Sequence, residues 1–236
     1  MRATANKGAR RAVGARLLRT GQRMPLQAQV VSLAELPINL VLCFLGAFLL
    51  ASCATPKDVQ HHVVISVKDQ KLALLDRETL VAIYPISTSK YGLGDWRGSY
   101  RTPLGELEIA QKIGAGVPPG TVFKDRIRTG EIVLPNAAGR DPIVSRILWL
   151  RGREPQNANA FGRDIYIHGT PEERNLGLPV SYGCVRMSSN DVIKLYEMVG
   201  LGAQVTIVAA PLVEVVPGLA NGTQVASIRR GGTFVH

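Results

Sequence analysis

His168 and Cys184, sixteen positions apart, are the side chains of this 236-residue sequence best suited to covalent chemistry. A free thiol with a pKa near 8.5 is only about 3% thiolate at pH 7, and a neighbouring imidazole that lowers it to about 6 to 7 raises that fraction roughly ten- to thirtyfold. That gain is worth about 1 to 2 kcal/mol, whereas one donor to a tetrahedral oxyanion is worth about 3 to 4 kcal/mol. Backbone N–H groups beside the nucleophile are therefore the larger contribution. Gly183 lets the chain turn just before the Cys, so the N–H groups of Cys184 and Gly183 are the expected oxyanion donors, with Tyr182 a third candidate. The helix start near Ser189 would add a modest favourable dipole. A lone Cys also serves as a small buried hydrophobe, and its neighbourhood decides between the two readings.

The elements that must position this pair follow from local pattern. Asp164–His168 reads as a strand that delivers His168 to its end, and Cys184 stands just before a helix. That helix is announced by Ser188, Ser189, Asn190 and Asp191 as cap residues and by Val192, Leu195, Tyr196 and Val199 at i, i+3, i+4 and i+7, with Gly200 and Gly202 ending it. Its apolar stripe reads as core packing. Upstream, Val63, Ile65 and Val67 alternate with Val64, Ser66 and Lys68, the period of a strand with one buried face. Leu72–Leu75 and Leu80–Ile86 continue a meander, and Leu107–Ile113, Ile147–Arg151 and Gln204–Val208 are further strands. The expected fold is mostly β with one short buried helix after the Cys. Residues 91–101 and 114–130 read as Gly- and Pro-rich loops of functional length, where Tyr91, Trp96 and Tyr100 either pack a loop down or line a groove.

The order HGT, a loop, then SYGCVRM before a helix resembles the catalytic signature of the bacterial L,D-transpeptidases. In its usual form a His-Gly or His-Ser pair is followed by Ser-His-Gly-Cys and then Ile-Arg or Val-Arg. Arg101, Thr102, Pro103, Leu104 and Gly105 match the family's TPxG step, and VVISVKDQKLALLD with LVAIYPISTS resembles its opening strands. The similarity covers about residues 62–209. It implies an L,D-transpeptidase-like β-sandwich acting on peptidoglycan stem peptides, with Cys184 as nucleophile and His168 as its base. It further implies that the Gly169 carbonyl orients the imidazole and that Ser181 supports the turn. Arg186 would hold either a substrate carboxylate or the local fold. Tyr182 departs from the pattern, which usually has a second His there; a phenol donates a hydrogen bond but carries no positive charge near pH 7.

Composition bounds the rest. A chain 46% hydrophobic and 19% charged can bury one sizeable core. Of its +10 net charge, seven Arg or Lys against one Glu fall in residues 1–52, leaving 21 basic and 17 acidic side chains downstream. Nucleic-acid binding needs a concentrated basic surface, so it is not expected.

The same basic leader precedes an uncharged run, Ile38–Leu50, that as a helix would extend about 20 Å, short of a bilayer core of about 30 Å. Leu50, Ala51, Ser52 and Cys53 resemble a bacterial lipobox, which implies a signal peptide over residues 1–52 and a lipid on Cys53. A linker over 53–61, a catalytic domain over 62–210 and a tail over 211–236 expected to be disordered complete the plan. Ala54 after Cys53 mildly favours the outer membrane, on the periplasmic side. Cys43 lies in the apolar run, leaving Cys184 alone in the domain, so no disulfide is expected within it. His61, His62 and His236 lack ligand spacing; no metal or other cofactor is expected. A carboxypeptidase or wall-protein hydrolase using the same Cys, and a wall-binding module without catalysis, are the rival readings.

Overall fold

The computed structural model describes residues 56–219. The leader, Cys43, Cys53 and His236 lie outside the described residues. Ten strands join in one hydrogen-bonded network: β1 (His61–Ser66), β2 (Lys71–Asp76), β3 (Thr79–Pro85), β4 (Gly105–Ile113), β5 (Thr121–Lys124), β6 (Ile127–Ile132), β7 (Ile143–Gly152), β8 (Tyr166–Gly169), β9 (Val185–Met187) and β10 (Gln204–Val208). The path runs β3-β2-β1-β10-β4-β7-β5-β6, and the sheet branches at β7, which also pairs with β8, followed by β9. Helix α1 (Ser189–Met198) follows β9, and a one-turn helix α2 (Leu212–Val215) follows β10. The fold is mostly β, as the alternating pattern implied.

Helix α1 forms where its cap chemistry placed it. The Ser188 hydroxyl accepts from the Asp191 N–H at 3.1 Å, and Val192, Leu195, Tyr196 and Val199 are buried in the main core with Val63, Ile65, Leu107, Leu148 and Val205. The helix packs on β7 and β8, so it backs the strand that carries His168. Truncating Leu195, fully buried, would cost about 2–5 kcal/mol.

Three expectations change. The loop over 114–130 contains β5 and the start of β6, joined by Asp125 and Arg126, both at positive φ (50° and 68°) with Lys124 paired to Ile127. A two-residue hairpin turn of this kind is usually signalled by Asn-Gly or Asp-Gly, and neither is present. The tail over 211–236 expected to be disordered begins, in its described part, with α2, whose Leu212 packs with Val216, Val64, Ala73 and Leu75 in a second cluster. For that reason β1 is buried on both faces rather than one, with Val64 at 3% exposure and Ser66 donating to the Ala210 carbonyl at 2.8 Å. Finally, the N-terminus of α1 faces a carboxylate: the Ser189 N–H donates to Glu173 Oε1 at 2.9 Å. A carboxylate thus already sits at the positive end of the helix dipole.

Candidate active site

Strand register sets the relation between thiol and imidazole. Strands β8 and β9 pair in parallel, with Ile167 opposite Val185 and His168 opposite Arg186. Side chains alternate across a strand, and Cys184 stands in the bend one residue before β9; extending the alternation by that residue puts it on the face of His168, two positions before the Arg186 that pairs with His168. Strand spacing and rise put the Cα atoms of Cys184 and His168 roughly 8 Å apart. Ile167, Val185 and Met187 point into the main core, while Cys184 packs on the other face with Tyr166, Ile147 and Trp149.

The His168 Nδ1 lies 2.8 Å from the Gly169 carbonyl oxygen. A carbonyl can only accept, so Nδ1 carries the proton and Nε2 is the basic nitrogen. Gly169 passes so close to β7 that a Cβ there would sit 2.6 Å from the Val144 carbonyl. Burial pushes the imidazole down to about 4, with the Gly169 bond opposing and the Arg186 charge reinforcing the shift. Burial likewise pushes the Cys184 thiol up to about 11, against the Tyr166 N–H and Arg186.

Both shifts favour the neutral forms, where the sequence suggested a thiolate. Burial is the cause, because the contacts of the thiol are main-chain ones: it donates to the Asp164 carbonyl at 3.2 Å, just before β8, and accepts from the Tyr166 N–H at 3.4 Å, a donor that favours the thiolate without offsetting burial.

The turn that presents Cys184 is fixed from three sides. Gly183 has φ 119°, and a Cβ there would meet the Arg101 carbonyl at 3.3 Å, so glycine suits the position. The Ser181 hydroxyl donates to the Cys184 carbonyl at 2.6 Å and accepts from the Gly183 N–H at 3.3 Å. Thr102 donates to the Gly183 carbonyl at 2.9 Å. The strip after β3 frames both flanks, with Ser87 bridging to Arg186 and Ser89 to Ser181. Among the described residues the N–H groups of Tyr182 and Cys184 have no intramolecular acceptor.

Cys184 opens onto a cleft of about 260 Å³ lined with Arg97, Gly98, Tyr100, Gly162, Arg163, Ile165 and Tyr182. Tyr91, Tyr100 and Tyr182 form a cluster of neighbouring rings 5.8–6.2 Å apart, and Lys90 donates to the Tyr182 hydroxyl at 3.1 Å. These tyrosines and Trp96 remain 45–58% exposed, so they are not buried to pack the loop down. That loop is held instead by a buried ion pair, Arg163 to Asp95 at 2.7 Å. Arg186 is 8% exposed and pairs with Asp141 at 2.6 Å.

Asp164, Asp141 and Asp95 act through partners distant in sequence, and no spacing pattern marked them. Thr102 did carry a signal, the TPxG step, but nothing in that motif said which carbonyl it would reach. Among the described residues no group of three or more His, Cys, Asp or Glu could hold a metal, and no helix is long and apolar enough to cross a membrane.

The model of the L,D-transpeptidase catalytic domain (YkuD) matches residues 60–207, well over half of the sequence, and the chain belongs to that family. YqjB of Bacillus subtilis is 41% identical over 146 residues, covering 62% of this chain and 70% of its own length. ErfK/SrfK of Escherichia coli is 26% identical over 158 residues, covering 66% of this chain and 47% of its own. Both are assigned by name to the L,D-transpeptidases, and the chain spans only about half the length of the second. An L,D-transpeptidase from Mycobacterium smegmatis aligns with a TM-score of 0.43 at 19% identity, over 64% of this chain and 59% of its own.

Proposed function

We propose that this chain is a peptidoglycan L,D-transpeptidase working through an acyl-thioester on Cys184. The observation that supports the reading most is the β8–β9 register, in which His168 pairs with Arg186, two positions after Cys184, together with the Gly169 carbonyl on Nδ1 that leaves Nε2 to act as base. The substrate is a tetrapeptide stem. Its carbonyl before the terminal D-amino acid enters the cleft, and the thiol turns from the Asp164 carbonyl toward Nε2. The S–H proton passes to Nε2 as the S–C bond forms. The resulting oxyanion is met by the N–H groups of Cys184 and Tyr182, with that of Gly183 shared with Ser181.

Collapse breaks the C–N bond, and His168 returns the proton to the departing amine. An acceptor amine then attacks the thioester, loses its proton to His168, and leaves the stem cross-linked and the thiol restored. Neutral resting groups suit this cycle, because a neutral thiol and a neutral imidazole together hold the one proton that must move.

Export and anchoring belong to the same proposal. The basic leader, the short apolar run and the Leu50–Cys53 sequence support a lipid on Cys53 and a periplasmic domain, with the outer membrane favoured by Ala54; mass spectrometry of the mature N-terminus would detect an acylated Cys53 or refute it.

Incubation with purified muropeptides tests the reaction. Cross-linked dimers with released D-amino acid are expected. Trimmed monomers alone would indicate water as the acceptor, and no change would remove the enzymatic reading.

A further inference from the structure

We infer that Arg97 binds the terminal carboxylate of the donor peptide, one residue beyond the amide that Cys184 attacks; the inference rests on the acyl-transfer reading above. Arg97 and Arg163 line the cleft, and of the arginines on the segments that meet it, Arg101, Arg126, Arg163 and Arg186 are committed. Arg163 is buried on Asp95. Arg186, which the sequence left open as a carboxylate holder, is tied to Asp141. Arg126 donates to Asp164 and to the Tyr166 hydroxyl, each at 2.9 Å. Arg101 donates to the Leu93 carbonyl at 3.2 Å and stacks 4.6 Å over Trp96.

Arg97 differs from all of them. It is exposed, it lines the same cleft as Cys184, and its guanidinium lies over Gly162, 3.8 Å from where a Cβ would stand. Among the described residues its side chain has neither a hydrogen-bond partner nor a carboxylate partner. No acidic side chain lines the cleft, so an anion entering it meets attraction from Arg97 without competition.

The dimensions agree with a chain-terminal carboxylate. The scissile carbonyl carbon and the carboxylate carbon of the following residue are three bonds apart, about 4 Å, within a cleft of about 260 Å³ that is roughly 6 Å on a side. A carboxylate matches the planar guanidinium fork, which can engage both oxygens. Tyr100, Tyr182 and Ile165 supply apolar surface for the rest of the terminal residue.

Binding to Cys184→Ala protein, with Arg97 intact or as Arg97→Gln, tests the inference by calorimetry with a synthetic tetrapeptide stem and the same peptide as its C-terminal amide. With Arg97 intact the acid should bind about ten- to hundredfold tighter than the amide. Arg97→Gln should bring the ratio close to one, and Arg97→Lys should retain part of it. Equal binding of acid and amide with Arg97 present, or a preference unchanged in Arg97→Gln, overturns the assignment, and so does failure of both peptides to bind. Release of the D-amino acid by protein retaining Cys184 separates the two claims: a normal acid preference without release would sink acyl transfer and keep Arg97 as the carboxylate site.

Discussion

The Thr102 hydroxyl donates to the Gly183 carbonyl at 2.9 Å while accepting from the Ser89 N–H at 3.0 Å. The Gly183 carbonyl and the Cys184 N–H belong to one trans peptide plane and point in opposite directions. Holding the carbonyl therefore aims the N–H, and a residue 82 positions before Cys184 sets the direction of the N–H proposed as an oxyanion donor.

Thr102→Val keeps the shape and removes both hydrogen bonds. We expect kcat to fall about ten- to hundredfold, with KM and the alkylation rate of Cys184 little changed. Stability should fall by about 1–2 kcal/mol from the unpaired groups. Thr102→Ser, which keeps the hydroxyl, should recover most of the rate. An unchanged kcat in Thr102→Val would show that the Cys184 N–H needs no such alignment.

Burial of His168 makes a pH prediction with a definite sign. An ordinary His titrates near 6.5 and this one is pushed down to about 4, so between those values the unfolded chain binds a proton that the native chain does not. Stability contributed by the neutral imidazole is complete above pH 6.5 and drains as pH falls toward 4, by about 3 kcal/mol. Denaturant midpoints of wild type and His168→Gln between pH 7 and 4.5 should converge. Likewise the acid limb of kcat/KM, which reports the free enzyme, should lie below pH 5; a limb near 6.5 would contradict a buried neutral base.

The ion pair of Asp95 with Arg163 is almost free of solvent, with side chains 3% and 6% exposed. Asp95 also accepts from the Asn159 N–H at 2.6 Å, so it joins the loop over 91–101 to the other wall of the cleft. Asp95→Ala leaves a buried guanidinium unpaired and should cost about 3–5 kcal/mol in chemical denaturation, with greater proteolysis between residues 91 and 101. A loss below 1 kcal/mol would mean that the pair is relaxed by water.

What could be read in the sequence was whatever repeats or caps locally. The strands at Val63, Leu72 and Leu107 and the helix after Ser188 announced themselves through spacing, and the strand ending at His168 fixed where the imidazole would emerge. Three things were hidden. The hairpin turn at Asp125 and Arg126 uses charged residues at positive φ and does not match usual turn composition, whereas the turn at Arg77 and Glu78 was legible between the two short strands that flank it. Strand β9 is three residues long, too short for a period, yet its register with β8 is what brings the Cys184 turn beside the strand of His168. The commitment of Arg186 to Asp141 depends on a partner 45 positions away, so only the fold distinguishes it from the open Arg97.

Intact-mass measurement after mixing with a synthetic tetrapeptide stem tests the central claim most directly. Wild-type protein quenched in acid should carry one added acyl group, equal in mass to the stem less its terminal D-amino acid, and Cys184→Ala should carry none. The same adduct on both proteins, or loss of the D-amino acid by Cys184→Ala at the wild-type rate, would contradict an acyl-thioester on Cys184.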